Sequence, residues 1–164
     1  MSMMDNGDEI YIPISKAVMY SNKTYVIAPY LLGEFLVSGG LEHFMGYLSK
    51  MERKQIISFG IDTSMERLHI PESYLYGSIT QRADLLIGMI DNGGFLDSQN
   101  HPHICVKSPQ LCEDIVYLCR SLGYIAYADI SDGSYNIYIE TQDKLFSGSN
   151  LMSQFVKNES NRIY

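Results

Sequence analysis

Two apolar stretches, each with a glycine in its middle and a glycine pair at its end, constrain the fold of this 164-residue chain most. They are PYLLGEFLVSGG, residues 29–40, and LLIGMIDNGG, residues 85–94. A glycine pair after a periodic apolar run is typical of a helix end, because glycine adopts the left-handed conformation without a Cβ clash. We therefore predict one helix over Pro29–Val37 and a second over Ala83–Ile90 that runs into Asp91 and is capped by Ser78 or Thr80.

The two stretches lie about 55 residues apart and share one design, which indicates a weak internal repeat and two pseudo-symmetric halves. Small residues in the middle of a helix let two helices approach closely. We expect the two helices to pack side by side along a seam of four glycines, Gly33, Gly39, Gly88 and Gly94. The alternative is a pair of unrelated core helices that both end in glycine.

The remaining periodic segments predict a mixture of helices and strands. Leu41–Ile57 has the apolar spacing of one amphipathic helix. Ser108-Pro109 begins another helix, which ends at Gly123. A strand-like segment follows the glycine pair Gly93-Gly94. Three further segments are predicted strands, the last two of them joined by a hairpin turn at Asp132-Gly133: Pro102–Lys107, Tyr124–Ile130 and Tyr135–Glu140.

The length of the chain and its apolar content of 46% suffice for one buried core. We expect a single domain over residues 10–145, a flexible N-terminus over residues 1–9 and a polar C-terminal tail over residues 146–164. Within the domain, Lys23–Ile27 has the composition of a short strand or an extended arm. From Arg82 to Thr141 the predicted order is helix, strand, strand, helix, strand, strand, which is an α+β arrangement.

The composition excludes several classes of function. The net charge of −7 repels phosphate backbones, so DNA is not the expected partner. No P-loop, dinucleotide fingerprint or Gly-x-Ser-x-Gly motif is present. No signal peptide and no apolar run of about 20 residues is present either, and the three cysteines show no paired spacing. We therefore expect an intracellular protein, in the cytoplasm, the nucleus or a particle, that is neither secreted nor bound to a membrane.

Three residues give part of a zinc-ligand pattern, namely His101, His103 and Cys105. A zinc site normally has Cys and His in short paired spacings, which this stretch supplies only incompletely. The simpler interpretation is a strand that carries two histidines and a buried thiol. We predict no metal site and no cofactor.

Several segments together resemble the LAGLIDADG homing endonucleases of the kind nested inside inteins. The residues IPISKAVMYSNKTYVIAPYLLGEFLVSGG are similar to the family's lead-in and first motif, and HIPESYLYGSITQRADLLIGMIDNGGF is similar to the second. The segment SPQLCEDIVYLCRSLGYIAY resembles the helix that follows. The resemblance covers roughly residues 10–141.

This resemblance implies that the two motif helices pack together between DNA-binding sheets, and that an acidic residue at each helix end binds a divalent metal. The motif positions that carry those acids fall on Ser38 and Gly93, so both carboxylates are missing. Asp91 is a weak substitute, because it lies two residues earlier and about 200° around the helix. Glu34 lies on the same helix face as Ser38, a full turn earlier, and we expect it to be solvated or paired with a base of a partner.

Two further departures from the family concern the sheet. Between Arg82 and Thr141 there are three Lys or Arg against eight Asp or Glu, the opposite of a surface that follows phosphates. Between Gly40 and His69 there is room for one helix and a connector but not for two hairpins. We therefore predict a LAGLIDADG-like α+β fold with one full αββαββ half and a truncated first half.

The function expected from these departures is that of a degenerate, catalytically inactive domain, retained as a protein-binding or structural component of a larger assembly. Tyrosines suit such a role, and four of them form the candidate interface: Tyr124, Tyr127, Tyr135 and Tyr138. They could equally pack the sheet. The alternative functions are DNA binding or residual metal-dependent endonuclease activity, and a third possibility is an unrelated α+β fold.

Overall fold

A computed structural model describes residues 16–39, 41–61, 64–96 and 102–140 of the chain. The predicted flexible N-terminus (residues 1–9), the predicted tail (residues 146–164), residues 10–15 and 141–145 of the predicted domain, and His101 lie outside these ranges. The helices are α1 (Pro29–Val37), α2 (Leu41–Tyr47), α3 (Lys50–Ser58), α4 (Glu72–Leu75), α5 (Ile79–Gly93) and α6 (Pro109–Ser121). The strands are β1 (Gly94–Leu96), β2 (Pro102–Val106), β3 (Ile125–Ser131) and β4 (Ser134–Glu140).

The four strands form one antiparallel sheet in the order β1-β2-β4-β3, and α5 and α6 contact it. Alternate residues of the central strands are buried beneath these helices, as at Ile104 in β2 and at Ile137 and Ile139 in β4. The predicted α+β class and the order helix, strand, strand, helix, strand, strand are therefore confirmed for α5 to β4.

The first predicted motif helix has the predicted bounds, because Pro29 occupies its first turn, where a missing N–H costs nothing. The second has its cap at Ser78, one of the two predicted caps, and extends beyond its predicted end at Asp91. It begins at Ile79, since Ser78 and Gln81 form a capping box, and it continues through Gly93. The expected left-handed glycine end is wrong here, because Gly93 is helical and Gly94 is extended, with φ −88° and ψ 156°.

The prediction of one helix over Leu41–Ile57 is also wrong. The chain forms α2 and α3 instead, and the break falls at Ser49. The Glu52 N–H donates to Ser49 Oγ at 3.3 Å, while the Ser49 N–H donates to the Glu52 carboxylate at 2.7 Å. This capping box starts a new helix and overrides the continuous apolar spacing.

Among the described residues that precede α5, the structure contains four helices and no strand. Lys23–Ile27 forms an arm that belongs to no strand, and side chains bind its backbone at both ends, at Lys23 and at Ile27. The Lys23 N–H donates to Gln81 Oε1 at 3.1 Å, and Gln81 Nε2 donates to the Lys23 carbonyl at 2.6 Å. The first half of the described chain thus has no sheet of its own, as the truncated first half predicts.

The hairpin between β3 and β4 turns at Asp132 and Gly133, as predicted. Both residues have positive φ angles, 51° and 72° respectively. Two consecutive positive φ angles are the requirement of a type I′ turn, whose twist matches that of the flanking strands. The turn fixes the register of β3 against β4, which pairs Tyr127 with Tyr138.

A buried arginine joins the N-terminal arm to α5 and α6. Arg82 is fully buried, and its guanidinium donates to the carbonyls of Gly77 at 2.9 Å, Ser121 at 2.7 Å and Val18. It also lies over the ring of Tyr20, 5.0 Å from the centroid. Carbonyl oxygens and an aromatic face thus solvate the cation within the protein.

Candidate functional site

The crossing of α1 and α5 depends on the two mid-helix glycines. A Cβ atom built on Gly33 would clash with the Leu85 carbonyl oxygen and lie 2.9 Å from the Met89 nitrogen. A Cβ on Gly88 would clash with the carbonyl oxygen of Tyr30. Leu85 and Tyr30 each precede the glycine of their own helix by three residues, so the two contacts are related by a two-fold operation. This reciprocity supports the internal repeat.

The other two glycines of the predicted seam lie elsewhere. A Cβ on Gly39 would meet no atom within 4 Å, and this residue has the positive φ of 63° that ends α1. A Cβ on Gly94 would clash with the backbone of Ile90 in α5, the helix that Gly94 directly follows. Gly33 and Gly88 therefore allow the close approach of the two helices. Gly39 and Gly94 lie where the chain leaves each helix.

Ser38 and Gly93 stand at the two positions to which the resemblance assigns metal-binding acids, and neither residue has a carboxylate. Ser38 Oγ donates to the Phe35 carbonyl at 3.1 Å, so its hydroxyl is used within α1. A Cβ on Gly93 would lie 2.7 Å from the Val37 Cβ, closer than real Cβ atoms approach. Position 93 therefore lacks room for a carboxylate side chain unless Val37 moves.

The acidic candidates near the helix ends form hydrogen bonds across the helix pair. The Tyr30 hydroxyl donates to Asp91 Oδ2 at 3.0 Å, and Asn92 Nδ2 donates to Glu34 Oε1 at 2.8 Å. Burial, followed by the hydrogen bond and the charge of Asp91, raises the pKa of Tyr30 to about 12. Glu34 thus bonds to an amide of its own chain, whereas we expected it to be solvated or paired with a base of a partner.

Among the described residues, no three His, Cys, Asp or Glu side chains lie close enough together to hold a metal ion. His103 and Cys105, two of the three residues of the partial zinc pattern, lie on the same face of β2, and Cys105 is exposed rather than buried. The polar side chains near the helix ends, such as Ser38 and Asp91, instead form hydrogen bonds within the protein.

The face of the sheet that points away from α5 and α6 is the second candidate site, and we call it the open face. Strand alternation and the observed register place eleven described side chains on it. They are Phe95, His103, Cys105, Ile125, Tyr127, Asp129, Ser131, Ser134, Asn136, Tyr138 and Glu140. This set contains two carboxylates and neither Lys nor Arg.

A row of four rings crosses all four strands of the open face. Phe95 and His103 meet edge to face with centroids 3.5 Å apart, and His103 stacks on Tyr138 at 5.3 Å. Tyr138 in turn stacks on Tyr127 at 5.3 Å. The residues are directly paired in the register, so cross-strand neighbours build the row.

The four candidate interface tyrosines fall into two groups. Tyr127 and Tyr138 belong to the aromatic row on the open face. Tyr124 is 8% exposed, and Tyr135 packs against the hydrophobic core on the helix side. The sequence did not indicate an aromatic role for Phe95, and His103 was named only for the partial zinc pattern. For His103, the alternation with the apolar residues Pro102 and Ile104 was the signal that could have placed it on one face of a strand.

A groove of about 360 Å³ lies between α6 and β3, on the helix side of the sheet. Its lining comprises Cys112, Glu113, Val116, Tyr117, Arg120 and Ala128. The Arg120 guanidinium already donates to the Ala126 carbonyl at 2.9 and 3.2 Å. The Arg120 guanidinium therefore helps to attach α6 to the sheet.

Comparison with known proteins gives distant similarities. No family model matches the chain. A replicative DNA helicase DnaB of Mycobacterium intracellulare is 26% identical, in an alignment that covers 81% of this chain and 27% of the helicase. The chain thus spans about a quarter of the length of that relative. Within the described part of the chain, no helix is sufficiently long and apolar to cross a bilayer.

Two crystal structures of I-DmoI, both in complex with DNA, are similar in fold. For a variant bound to its target DNA, the TM-score is 0.45 and the identity 13%, over 76% of this chain and 93% of that one. For I-DmoI with DNA and Mn, the TM-score is 0.44 and the identity 14%, over 76% of this chain and 95% of that one.

Proposed function

We propose that this chain is a catalytically inactive, homing-endonuclease-like domain that binds a protein partner and serves as a component of a larger assembly. The observation that carries the proposal is the contact between Gly93 and Val37. It fills the position where an endonuclease of this kind would place a metal-binding carboxylate.

The loss of both acids matters because phosphodiester hydrolysis at neutral pH needs a metal ion to activate water and to neutralise developing charge. Hard divalent cations are bound by oxygen ligands, and carboxylates supply the negative charge that holds them. At the two helix ends this chain offers the Ser38 hydroxyl, bonded to its own helix, and the hydrogen of Gly93. These groups do not replace two carboxylates.

The side chains of the open face also favour a protein partner over DNA. Proteins that follow a DNA backbone do so mainly through Lys and Arg, which release counterions from the phosphates. The eleven described positions of the open face carry Asp129 and Glu140 but no basic residue. Aromatic and aliphatic side chains such as Phe95 and Ile125, which are 44% and 55% exposed, are instead typical of a surface that contacts protein.

Helicase activity is not carried over from the DnaB relative. The alignment covers 27% of that protein, and this chain contains no Gly-x-x-x-x-Gly-Lys-Ser/Thr motif with which to bind a nucleoside triphosphate. The partial match is compatible with a domain that accompanies an enzyme rather than with the motor itself.

The alternative function is DNA binding, with or without residual metal-dependent cleavage. The similar proteins favour it, since I-DmoI is bound to DNA in both structures and the relative in Mycobacterium intracellulare is a replicative DNA helicase. Cleavage would require Asp91 as a ligand. Its carboxylate accepts the hydroxyl of Tyr30, so a metal would have to displace that hydrogen bond.

A mobility-shift and cleavage assay distinguishes the two functions. The full chain is mixed with a pool of random duplex DNA at about 50 mM salt, where phosphate contacts are strongest, with Mg²⁺ or Mn²⁺ present. We expect neither a shift nor cleavage. Salt-sensitive binding, or cleavage that Asp91→Asn abolishes, would overturn the proposal.

The positive arm of the test locates the partner. A photo-crosslinking residue at position 127 should capture a protein partner in extracts, identified by mass spectrometry. The same residue at position 72 on α4 should capture that partner weakly, because Glu72 lies outside the sheet. Equal capture at both positions would show that the open face is not the interface.

A further inference from the structure

The aromatic row presents ring surface to solvent at both of its ends. Phe95 is 44% exposed and Tyr127 is 48% exposed, whereas His103 between them is 8% exposed. Tyr138 is half-buried. The row is thus a continuous strip with accessible rings on β1 and β3 and a more buried centre. The faces of such rings are electron-rich and attract cations.

Two carboxylates flank the row on opposite sides. Along β3, Asp129 lies two residues beyond Tyr127, and along β4, Glu140 lies two residues beyond Tyr138. Two residues of a strand span roughly 7 Å. Because Glu140 pairs with Ile125 and Asp129 pairs with Asn136, one carboxylate lies on each side of the two stacked tyrosines.

This combination favours a cationic ligand with a flat group. A guanidinium can stack on an aromatic ring and at the same time donate to a carboxylate, since its donors lie in the plane of the group. An ammonium group satisfies only one of these contacts well at a time. Nucleic-acid bases could also stack on the rings, but the accompanying phosphates would face two carboxylates and no basic side chain.

We infer that the open face binds an extended, arginine-containing segment of a partner protein. A guanidinium group lies against the face of Tyr127 that is not stacked on Tyr138, at the edge strand β3, and donates to Asp129 or Glu140. This inference rests on the proposed protein-binding function and adds the chemistry of the partner. A segment in extended conformation that runs along β3 suits this face, because its side chains repeat roughly every 7 Å on one side, the same spacing as Ile125, Tyr127 and Asp129 along the strand.

Fluorescence anisotropy with labelled probes tests the inference on the full chain. The probes are a peptide of alternating arginine and serine, its lysine and glutamate counterparts, and single-stranded oligothymidine, all at about 50 mM salt. We expect the arginine peptide to bind more tightly than the lysine peptide, and the other two probes not to bind. Tighter binding of oligothymidine than of the arginine peptide would overturn the inference.

Matched substitutions assign the binding to the open face. Asp129→Asn, Glu140→Gln and Tyr127→Leu should each weaken binding of the arginine peptide about two- to fivefold. Two controls carry the same chemical changes at exposed positions elsewhere, Glu113→Gln on α6 and Tyr47→Leu on α2. They should leave the affinity unchanged. Equal losses in controls and face variants would show that binding reflects the net charge alone, and would overturn the inference.

The outcomes also separate this inference from the proposed function. Binding or cleavage of duplex DNA in the mobility-shift assay defeats both. A second outcome is that duplex DNA does not bind and the arginine peptide binds no better than the glutamate peptide. This outcome contradicts only the inference about the partner's chemistry. The melting temperature of each variant is measured by circular dichroism. A value like that of the unsubstituted chain shows that a loss of affinity is not caused by unfolding.

Discussion

Gly93 and Val37 touch where α5 ends beside α1. A Cβ atom on Gly93 would lie 2.7 Å from the Val37 Cβ and 2.9 Å from its Cγ2, so the backbone of one helix rests on the side chain of the other. This contact needs a glycine for its space and not for its φ, because Gly93 is helical. The end of the second motif helix is thus part of the packing between the two helices.

The first prediction concerns this contact. Gly93→Ala should destabilise the protein by about 1–3 kcal/mol, the usual cost of forcing extra volume into a close contact. In a Val37→Gly background the same change should cost less, because the clashing atoms have been removed. Urea denaturation of both single variants and of the double variant gives the coupling energy. Additive losses would show that the two residues do not interact.

The second prediction concerns the helix crossing. Gly33→Ala should destabilise the protein by at least about 2 kcal/mol, because the new Cβ would meet the backbone of α5, which has no rotamer to change. Gly46→Ala on α2 is the matched control. A Cβ there would meet no atom within 4 Å, so alanine should stabilise that helix by up to about 1 kcal/mol. Comparable losses at both positions would contradict the close approach.

The sequence predicted features that local chemistry determines. Pro29 fixed the start of α1, Ser108-Pro109 fixed that of α6, and Asp132-Gly133 fixed the hairpin. The capping box at Ser49 is equally local, since serine is followed three residues later by glutamate. The break at Ser49 was not predicted, because the apolar spacing continues on both sides of it. Helix periodicity alone does not mark a break between two consecutive helices.

The features that the sequence left open depend on distant contacts. Composition alone does not divide the tyrosines between the two faces of a sheet, since a shift of one residue in register exchanges the faces. The register placed Tyr127 and Tyr138 outside and Tyr135 inside. The glycine pair at Gly93 predicts a helix end, whereas the structure shows a helical residue packed on Val37. Val37 lies 56 positions away in the chain, and no local sequence pattern reveals such a contact.

The third prediction concerns the buried arginine. Arg82→Lys should destabilise the protein by about 2–4 kcal/mol, because an ammonium group on a shorter, non-planar head does not reach the carbonyls of Gly77, Ser121 and Val18 together. Arg53→Lys is the control. Arg53 is exposed and donates to the Leu48 carbonyl alone, so its loss should be below about 1 kcal/mol.

Hydrogen exchange gives the same prediction a local readout. The amide of Val18 donates to the Ser121 carbonyl at 2.9 Å, beside the Arg82 guanidinium. In the Arg82→Lys variant this amide should exchange faster, as the N-terminal arm detaches. The amides in the middle of α6 should exchange at a rate that follows only the global stability. An unchanged Val18 amide in a destabilised variant would place the effect of Arg82 elsewhere.

The fourth prediction is a pH dependence carried by Tyr30. Its pKa is raised from 10.0 to about 12 by burial and by its bond to Asp91, so the folded state holds the phenolic proton more tightly than the unfolded state does. The stabilisation is therefore complete below about pH 10 and is lost as the pH rises toward 12. Tyr30→Phe lacks both the proton and the hydrogen bond. It should be less stable than the unsubstituted chain at about pH 8, and the difference should shrink at about pH 11, as measured by urea denaturation. A difference that stays constant between the two pH values would show that the Tyr30 hydroxyl does not titrate with a raised pKa in the folded protein.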